Sequence, residues 1–351
     1  MNMHFAELDT PALVLDMDVL EKNIRDLQAD CDRIGIPLRT HTKTHRTPQI
    51  ARMQIAAGAI GIACQKLGDA EVMAAAGIPD ILIPYNIVGK SKLERLTRLI
   101  KGSTTTLTLA ADSATTVEGL SAQAVRDDCK IRVIVEMDTG GRRCGTQSPQ
   151  ETLELAQRID QLPGLDFMGV MTYAGGERVL PYLDEVRALA KKAGLPLHMV
   201  SNGGTGSQAF CKSIGCTETR IGSYVFEGMT RVGKREHLLP DRCPVRVVVT
   251  VVSTSVPGQI IVDGGIKAFT SYPPTPYGYC LEHPEIWLKG MSIEHGQVDI
   301  TQSTHKFRVG EILSFIPLHG EMTTNLYEYT HPMRQGEIVD KWRVLGRGQS
   351  Q

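Results

Sequence analysis

Eight short apolar runs constrain this chain more than any other feature. They are Leu38–Lys43, Ala59–Gln65, Asp80–Tyr85, Thr105–Ala111, Ile131–Asp138, Asp166–Tyr173, Leu197–Asn202 and Glu218–Tyr224. Helical patterns lie between most of them. Ahead of the first run, Leu20, Ile24, Leu27, Cys31 and Ile34 recur at the spacing of one helix face. In "SPQETLELAQRI", Ser148, Pro149 and Glu151 stand in the order of an N-cap, a first-turn proline and a capping-box acid. In "LPYLDEVRALAKKAG", Leu183, Val186, Leu189 and Ala193 predict another stripe. Eight βα repeats predict a parallel (β/α)8 barrel of the TIM type. A doubly wound open sheet would carry its glycine-rich phosphate loop after the first strand. Here that loop follows the seventh, where barrels place phosphate sites.

The texture changes near Asp241. The stretch from Cys243 to Ser271 is rich in β-branched residues, with turns at Pro257-Gly258 and Gly264-Gly265. The expected organisation is a barrel over residues 17–241 and a C-terminal β domain over 242–351. The strand-like run Thr10 to Asp16 is expected to join one of the two as an extra strand.

Charge and composition exclude several function classes. A net charge of −1 offers no electrostatic case for nucleic acid or an anionic membrane surface. No segment approaches the roughly 18 apolar residues of a membrane span, and the N-terminus lacks a signal pattern, so a cytoplasmic location is expected. The eight cysteines include no CxxC pair and are expected as free thiols.

In a barrel, reactive groups come from the C-terminal ends of strands. That rule brings together Lys43, Tyr85, Asp138 with Arg142 and Arg143, Tyr173, the loop Ser201 to Ser207, and Arg220 ahead of Gly222-Ser223-Tyr224. In "SNGGTGS", Gly203, Gly204 and Gly206 permit positive φ and close approach of an anion, while Thr205 and Ser207 add hydroxyls. A lysine facing a phosphate-bearing aldehyde is the arrangement for pyridoxal 5′-phosphate. His41 and His45 flank Lys43 and in an extended segment would share its face; each is a candidate for proton transfer or for a structural hydrogen bond. Arg142 or Arg143 can pair with Asp138 or Glu136, or serve a cofactor or a substrate carboxylate. An arginine such as Arg220 beside a pyridine nitrogen would keep that nitrogen unprotonated. Downstream, His319 and Glu321 stand two apart after a strand, a partial ligand set for a divalent ion or a simple hydrogen-bonded pair.

Taken in order, "RTHTKTH", "EMDTGGRRCG", "MTYAGG", "SNGGTGS", "GSYVF", "IIVDGGIKAFTS" and "PLHGEMTTNL" resemble the family of D-threonine aldolase and eukaryotic-type D-serine dehydratase. The resemblance covers nearly the whole chain. It implies an alanine-racemase-type fold, with Lys43 as the cofactor lysine, Arg143 rather than Arg142 as the functional arginine, and Tyr173 in the substrate pocket. It further implies phosphate contacts from Ser201, Gly203, Gly204, Thr205, Gly206, Gly222, Ser223 and Tyr224. His319 and Glu321 match its metal segment, except that Glu321 stands where the family has cysteine or aspartate. A carboxylate suits manganese, magnesium or calcium better than zinc, and in this family it goes with aldolases. Arg220 departs toward the Arg-x-Gly spacing of alanine racemases.

The resemblance therefore implies a pyridoxal-phosphate and divalent-metal lyase. The expected substrates are D-β-hydroxy amino acids of D-threonine or D-3-hydroxyaspartate type, cleaved to glycine and an aldehyde. Lys43, His45 and Tyr173 are the candidate catalytic groups. A D-serine or hydroxyaspartate dehydratase and a metal-free racemase are the rival readings, and a homodimer is expected by analogy.

Overall fold

The computed structural model describes residues 3–173, 176–227, 240–272 and 276–351. Its chain separates into two compact units, each built from several stretches. One comprises Leu27–Lys43, Ile50–Gly222 and Gln349–Gln351; the other comprises Met1–Asp26, Thr44–Gln49 and Ser223–Gly348.

The first unit is a closed barrel of eight parallel strands. In chain order they are Leu38–His41, Gly61–Ala63, Asp80–Ile83, Thr106–Ala111, Ile131–Glu136, Leu165–Met171, Met199–Asn202 and Glu218–Ile221. Closure comes from the last strand pairing with the first, Thr219 opposite Leu38 and Ile221 opposite Thr40. Seven of the eight strands lie within their expected apolar runs and the sixth begins one residue early, at Leu165, but each hydrogen-bonded part is shorter than its run. The residues beyond it turn away to build loops, and those loops carry the candidate chemistry. Inside, Leu82, Ala110, Ile134 and Met171 pack together from four neighbouring strands.

The helices follow the local rules that predicted them. Ser148 accepts the Glu151 N–H at 3.2 Å, and Glu151 reaches back to the Gln147 N–H at 2.8 Å, ahead of helix Pro149–Gln161. Helix Val179–Ala193 buries Val179, Leu183, Val186 and Ala190. The expected stripe was thus displaced at its C-terminal end: Leu189 is half-buried and Ala193 exposed. The step of about 3.6 residues carries the buried face through Ala190.

The second unit is mainly antiparallel. Strand Ile312–Pro317 pairs with both Val245–Ser253 and Gly278–Cys280, which closes six strands into a ring with Gln259–Val262, Gly296–Asp299 and Trp287–Met291. Phe269 and Phe315 meet edge-on within it at 6.1 Å. Strand Ala12–Asp16 extends this sheet, antiparallel to Val245–Ser253 and parallel to Tyr329–Arg334. Among the described residues no helix is long and apolar enough to cross a membrane. All eight cysteines are free thiols.

The barrel interior also contains charge. Arg39, 3% exposed, donates through Nε to both oxygens of Glu218 at 3.0 and 2.9 Å, and through Nη1 to Asp80. Burial opposes its charge, but the two carboxylates outweigh that penalty and raise its pKa. Removing one partner of such a pair strands the other in a dry interior. Arg39→Met should therefore cost about 3–5 kcal/mol of unfolding free energy in urea. A loss well under 1 kcal/mol would show that the pair does not support the barrel.

Candidate active site

Lys43 does not end the first strand. The strand stops at His41, and Thr42–Thr44 forms a 3-10 turn. The expectation that His41, Lys43 and His45 share one face therefore fails, because alternation holds only in an extended chain. Each residue has a distinct setting. His41 is buried, with Nε2 3.0 Å from Gln65 Oε1, and its Nδ1 accepts the Lys43 N–H at 3.4 Å. Lys43 is exposed, with Nζ 6.0 Å from the centre of the Tyr173 ring. His45 lies wholly buried in the other unit; its Nδ1 accepts the Thr47 N–H at 3.1 Å and its ring packs edge-on to Phe226.

Arg143 and Tyr173 complete this side of the barrel mouth. The Arg143 guanidinium lies over the Tyr173 ring at 4.8 Å, and its Nη2 is 3.5 Å from Glu136 Oε1. Burial works against the Arg143 charge, yet Cys144 and Glu136 together raise its pKa. Arg142 instead turns its backbone to φ 50°, and its N–H joins that of Gly140 in binding Asp138 Oδ1 at 3.1 and 2.9 Å. Burial pushes the Asp138 carboxyl up, but these amides hold it below the usual carboxylate range. Asp138 thus organises the loop that presents Arg143. A cavity of about 140 Å³ opens there, lined by Glu136, Asp138, Thr139, Arg143, Cys144 and Tyr173 among others. Ala174 and Gly175 of "MTYAGG" lie outside the described residues.

The glycine loop leaves the seventh strand at Asn202. Gly203 has φ 128°, and a Cβ there would stand 2.4 Å from Thr219 Oγ1 and 2.9 Å from Arg220 N, so only glycine fits. Gly206 has φ 86° but faces open space. The amide of Gly203 donates to Asn202 Oδ1 at 2.7 Å, and that of Gly204 to Ser207 Oγ at 2.9 Å. The buried Asn202 Nδ2 has no hydrogen-bond partner among the described residues. A tight left-handed loop with an unsatisfied buried donor beside it fits an anionic group.

Ser201 and Arg220 reach into the barrel below that loop. Arg220 donates through Nη1 to Ser201 Oγ and through Nη2 to the Thr172 carbonyl, both at 2.5 Å. Ser201 Oγ in turn donates to Glu218 Oε1 at 2.5 Å. Burial pulls the Arg220 pKa down, with Glu218 and Glu136 opposing that shift. Gly222 follows the last strand, and Ser223–Val225 continues as a 3-10 turn with Tyr224 buried.

His319 and Glu321 are not at a strand end. Strand Ile312–Pro317 stops earlier; His319 is the N-cap of helix Gly320–Thr324 and Glu321 sits in its first turn. His319 Nδ1 accepts the Met322 N–H at 3.3 Å, and its ring meets Tyr272 edge-on at 5.3 Å. In that tautomer the ring proton is on Nε2. A cation binding Nε2 would require the proton to move to Nδ1 and the cap bond to yield. Glu321 Oε1 accepts from Thr44 Oγ1 at 3.2 Å. An imidazole and a carboxylate fit a divalent ion.

Sequence reasoning did not single out Thr44 or Asn202, nor Glu218 beneath the mouth. Asn202 was visible inside "SNGGTGS". The others act through partners 17 to 277 residues away, and no local signal marks such pairings.

The chain matches the family model for the alanine racemase N-terminal domain over residues 15–229, and that for a putative serine dehydratase domain over residues 244–333. A D-threonine aldolase from an Arthrobacter species is 34% identical over 98% of this chain and 94% of its own. A 3-hydroxy-D-aspartate aldolase from Paracoccus denitrificans is 31% identical over 99% and 94%. The crystal structure of D-threonine aldolase from Filomicrobium marinum is similar with a TM-score of 0.91 at 29% identity, covering 99% of this chain and 98% of that one.

The loop geometry separates two glycines. Gly203→Ala should destabilise the protein by about 1–3 kcal/mol, through clash and left-handed strain together. Gly206→Ala meets only the strain and should cost about 1 kcal/mol. Thermal unfolding of the two variants checks this; equal losses would refute the cradle at Gly203.

Proposed function

We propose a function from one premise: the chain belongs to the D-threonine aldolase and D-serine dehydratase family of alanine-racemase-type enzymes. On that premise it is a pyridoxal-phosphate- and divalent-metal-dependent lyase. It cleaves D-β-hydroxy amino acids of D-threonine or D-3-hydroxyaspartate type to glycine and an aldehyde. The observation that carries the aldolase reading is the oxygen ligand Glu321 beside His319. A carboxylate selects manganese, magnesium or calcium over a thiolate-seeking zinc ion.

Bound pyridoxal phosphate supplies an electron sink for the charge left on Cα, and a bound divalent ion lowers the pKa of the substrate's β-hydroxyl. Lys43 would hold the cofactor through Nζ. Ser201, Gly203, Gly204, Thr205, Gly206, Gly222, Ser223 and Tyr224 are assigned to its phosphate by the resemblance, and Arg220 to its ring. Arg143, held by Glu136 against Tyr173, orients a substrate carboxylate or a cofactor oxygen. Tyr173 shapes the substrate pocket. His319 and Glu321 would hold the metal, with Thr44 steadying one oxygen of Glu321. Proton transfer is assigned to His45, whose Nδ1 accepts the Thr47 N–H.

The dehydratase-type model over residues 244–333 favours one second reading, loss of the Cα proton and the β-hydroxyl from D-serine or D-3-hydroxyaspartate, after which hydrolysis of the product releases ammonia and leaves a keto acid. Assay of D-threonine for acetaldehyde and of D-serine and D-3-hydroxyaspartate for ammonia, with and without EDTA, separates the two. Aldehyde release abolished by EDTA is expected; ammonia without aldehyde would establish the dehydratase. Lys43→Ala should remove the cofactor's visible absorbance from the purified protein, and a retained spectrum would refute its assigned role. His319→Asn keeps an N-capping side chain but deletes the ring nitrogens. It should leave stability within about 1 kcal/mol while abolishing stimulation of aldehyde release by manganese. A homodimer is the expected assembly, checked by light scattering.

A further inference from the structure

Two loops of the β unit bring His283, His305 and Glu311 together. Each offers one ligand atom, and those atoms lie within 4.8 Å of one another. Among the described residues, no other three histidine, cysteine or carboxylate side chains gather so closely. His305 Nε2 stands 2.8 Å from Glu311 Oε1. The His283 and His305 rings lie 4.5 Å apart, centre to centre, with 33° between their planes.

The surroundings hold these side chains in place. Phe307, buried, packs edge-on against both rings at 5.0 and 4.6 Å. Glu285 lies 3.6 Å from His283 Nδ1 and accepts from Ser303 Oγ, which links the loop of His283 to the loop of His305. Glu311 is fixed by its backbone, since its carbonyl accepts the Val251 N–H at 2.8 Å. Its Oε2 accepts the Arg308 N–H at 3.0 Å, leaving Oε1 toward His305.

We propose that His283, His305 and Glu311 form a binding site for a divalent cation of the zinc class. Two imidazoles and one carboxylate are a ligand set that zinc accepts with one position left for water. Bonds of about 2.0–2.1 Å around a tetrahedral ion place ligand atoms about 3.4 Å apart. A small opening of the His305–Glu311 contact and an approach of His283 reach that geometry. An ion pair alone uses His305 and Glu311 and gives no reason to pack a second imidazole against the first. A cation requires both rings neutral and gives both a partner. Glu285 then acts as a positioning residue that orients the His283 ring.

This site is separate from His319 and Glu321. Glu311 precedes strand Ile312–Pro317 and His319 follows it. Six residues of strand put the two positions about 20 Å apart. The inference therefore stands or falls independently of the aldolase reading.

The test uses the full-length His319→Ala protein, stripped with a chelator and titrated with zinc chloride in a calorimeter. One zinc ion per chain is expected, together with a rise in melting temperature. Adding His283→Gln or Glu311→Gln should abolish that uptake while leaving the melting temperature without zinc unchanged. Adding Glu285→Gln should weaken it about 10–100-fold. In the otherwise native chain, His283→Gln should leave aldehyde release with manganese intact. No zinc uptake by His319→Ala, or undiminished uptake by both glutamine variants, would overturn the proposal. Should one variant fail to fold, the other decides alone.

Discussion

The centre of the barrel depends on one carboxylate. Glu218, 2% exposed, receives Arg39 from below through two hydrogen bonds and Ser201 from beside it. Ser201 also receives Arg220. Two buried guanidiniums therefore lean on a single buried acid, one directly and one through a hydroxyl. In a low-dielectric interior an unpartnered charge is prohibitively expensive, so these groups are tolerable only as a set. The closing pair of strands, Leu38–His41 with Glu218–Ile221, is where both Arg39 and Glu218 reside. Barrel closure and charge compensation are consequently the same event.

The mouth inherits that order. Arg220 has its two terminal nitrogens engaged by Ser201 and the Thr172 carbonyl, so its position is set before any ligand arrives. The glycine loop begins one residue after Ser201, and Gly203 passes so close to Arg220 N that a side chain is excluded. On the other side, Asp138 folds its own loop through backbone amides and leaves Glu136 to hold Arg143. Glu218, Asp138 and Glu136 thus hold in place the cationic groups that would meet an anionic ligand.

The β unit supplies donors of a different kind. His319 and Glu321 are presented by a helix start, where the cap bond uses Nδ1 and so keeps the ring proton on Nε2, the nitrogen a cation would need. Metal binding there would be coupled to a proton shift and to the first turn of a five-residue helix. The His283 cluster is framed instead by loops, an aromatic ring and an acid tether. One chain thus presents a pair of one imidazole and one carboxylate and a trio of two imidazoles and one carboxylate, whose donor sets would favour different cations.

The eight-strand parallel barrel and the appended β unit were legible in the residues alone, because hydrophobic periodicity and turn residues are local properties that each segment carries. The Ser148 cap and the strained glycine loop were legible for the same reason. Where strands stop was not. Lys43 lies beyond its strand because the chain leaves the sheet after His41, and the register of neighbouring strands sets that point. Local pattern also could not distinguish Arg142 from Arg143, which differ through a backbone at positive φ and an acid seven residues away. The folded chain alone reveals that Glu218 compensates two arginines, that Thr44 meets Glu321, and that His283 joins His305 and Glu311. Each of these pairings crosses a long stretch of chain, and folding selects them through burial and charge, which no window of sequence contains.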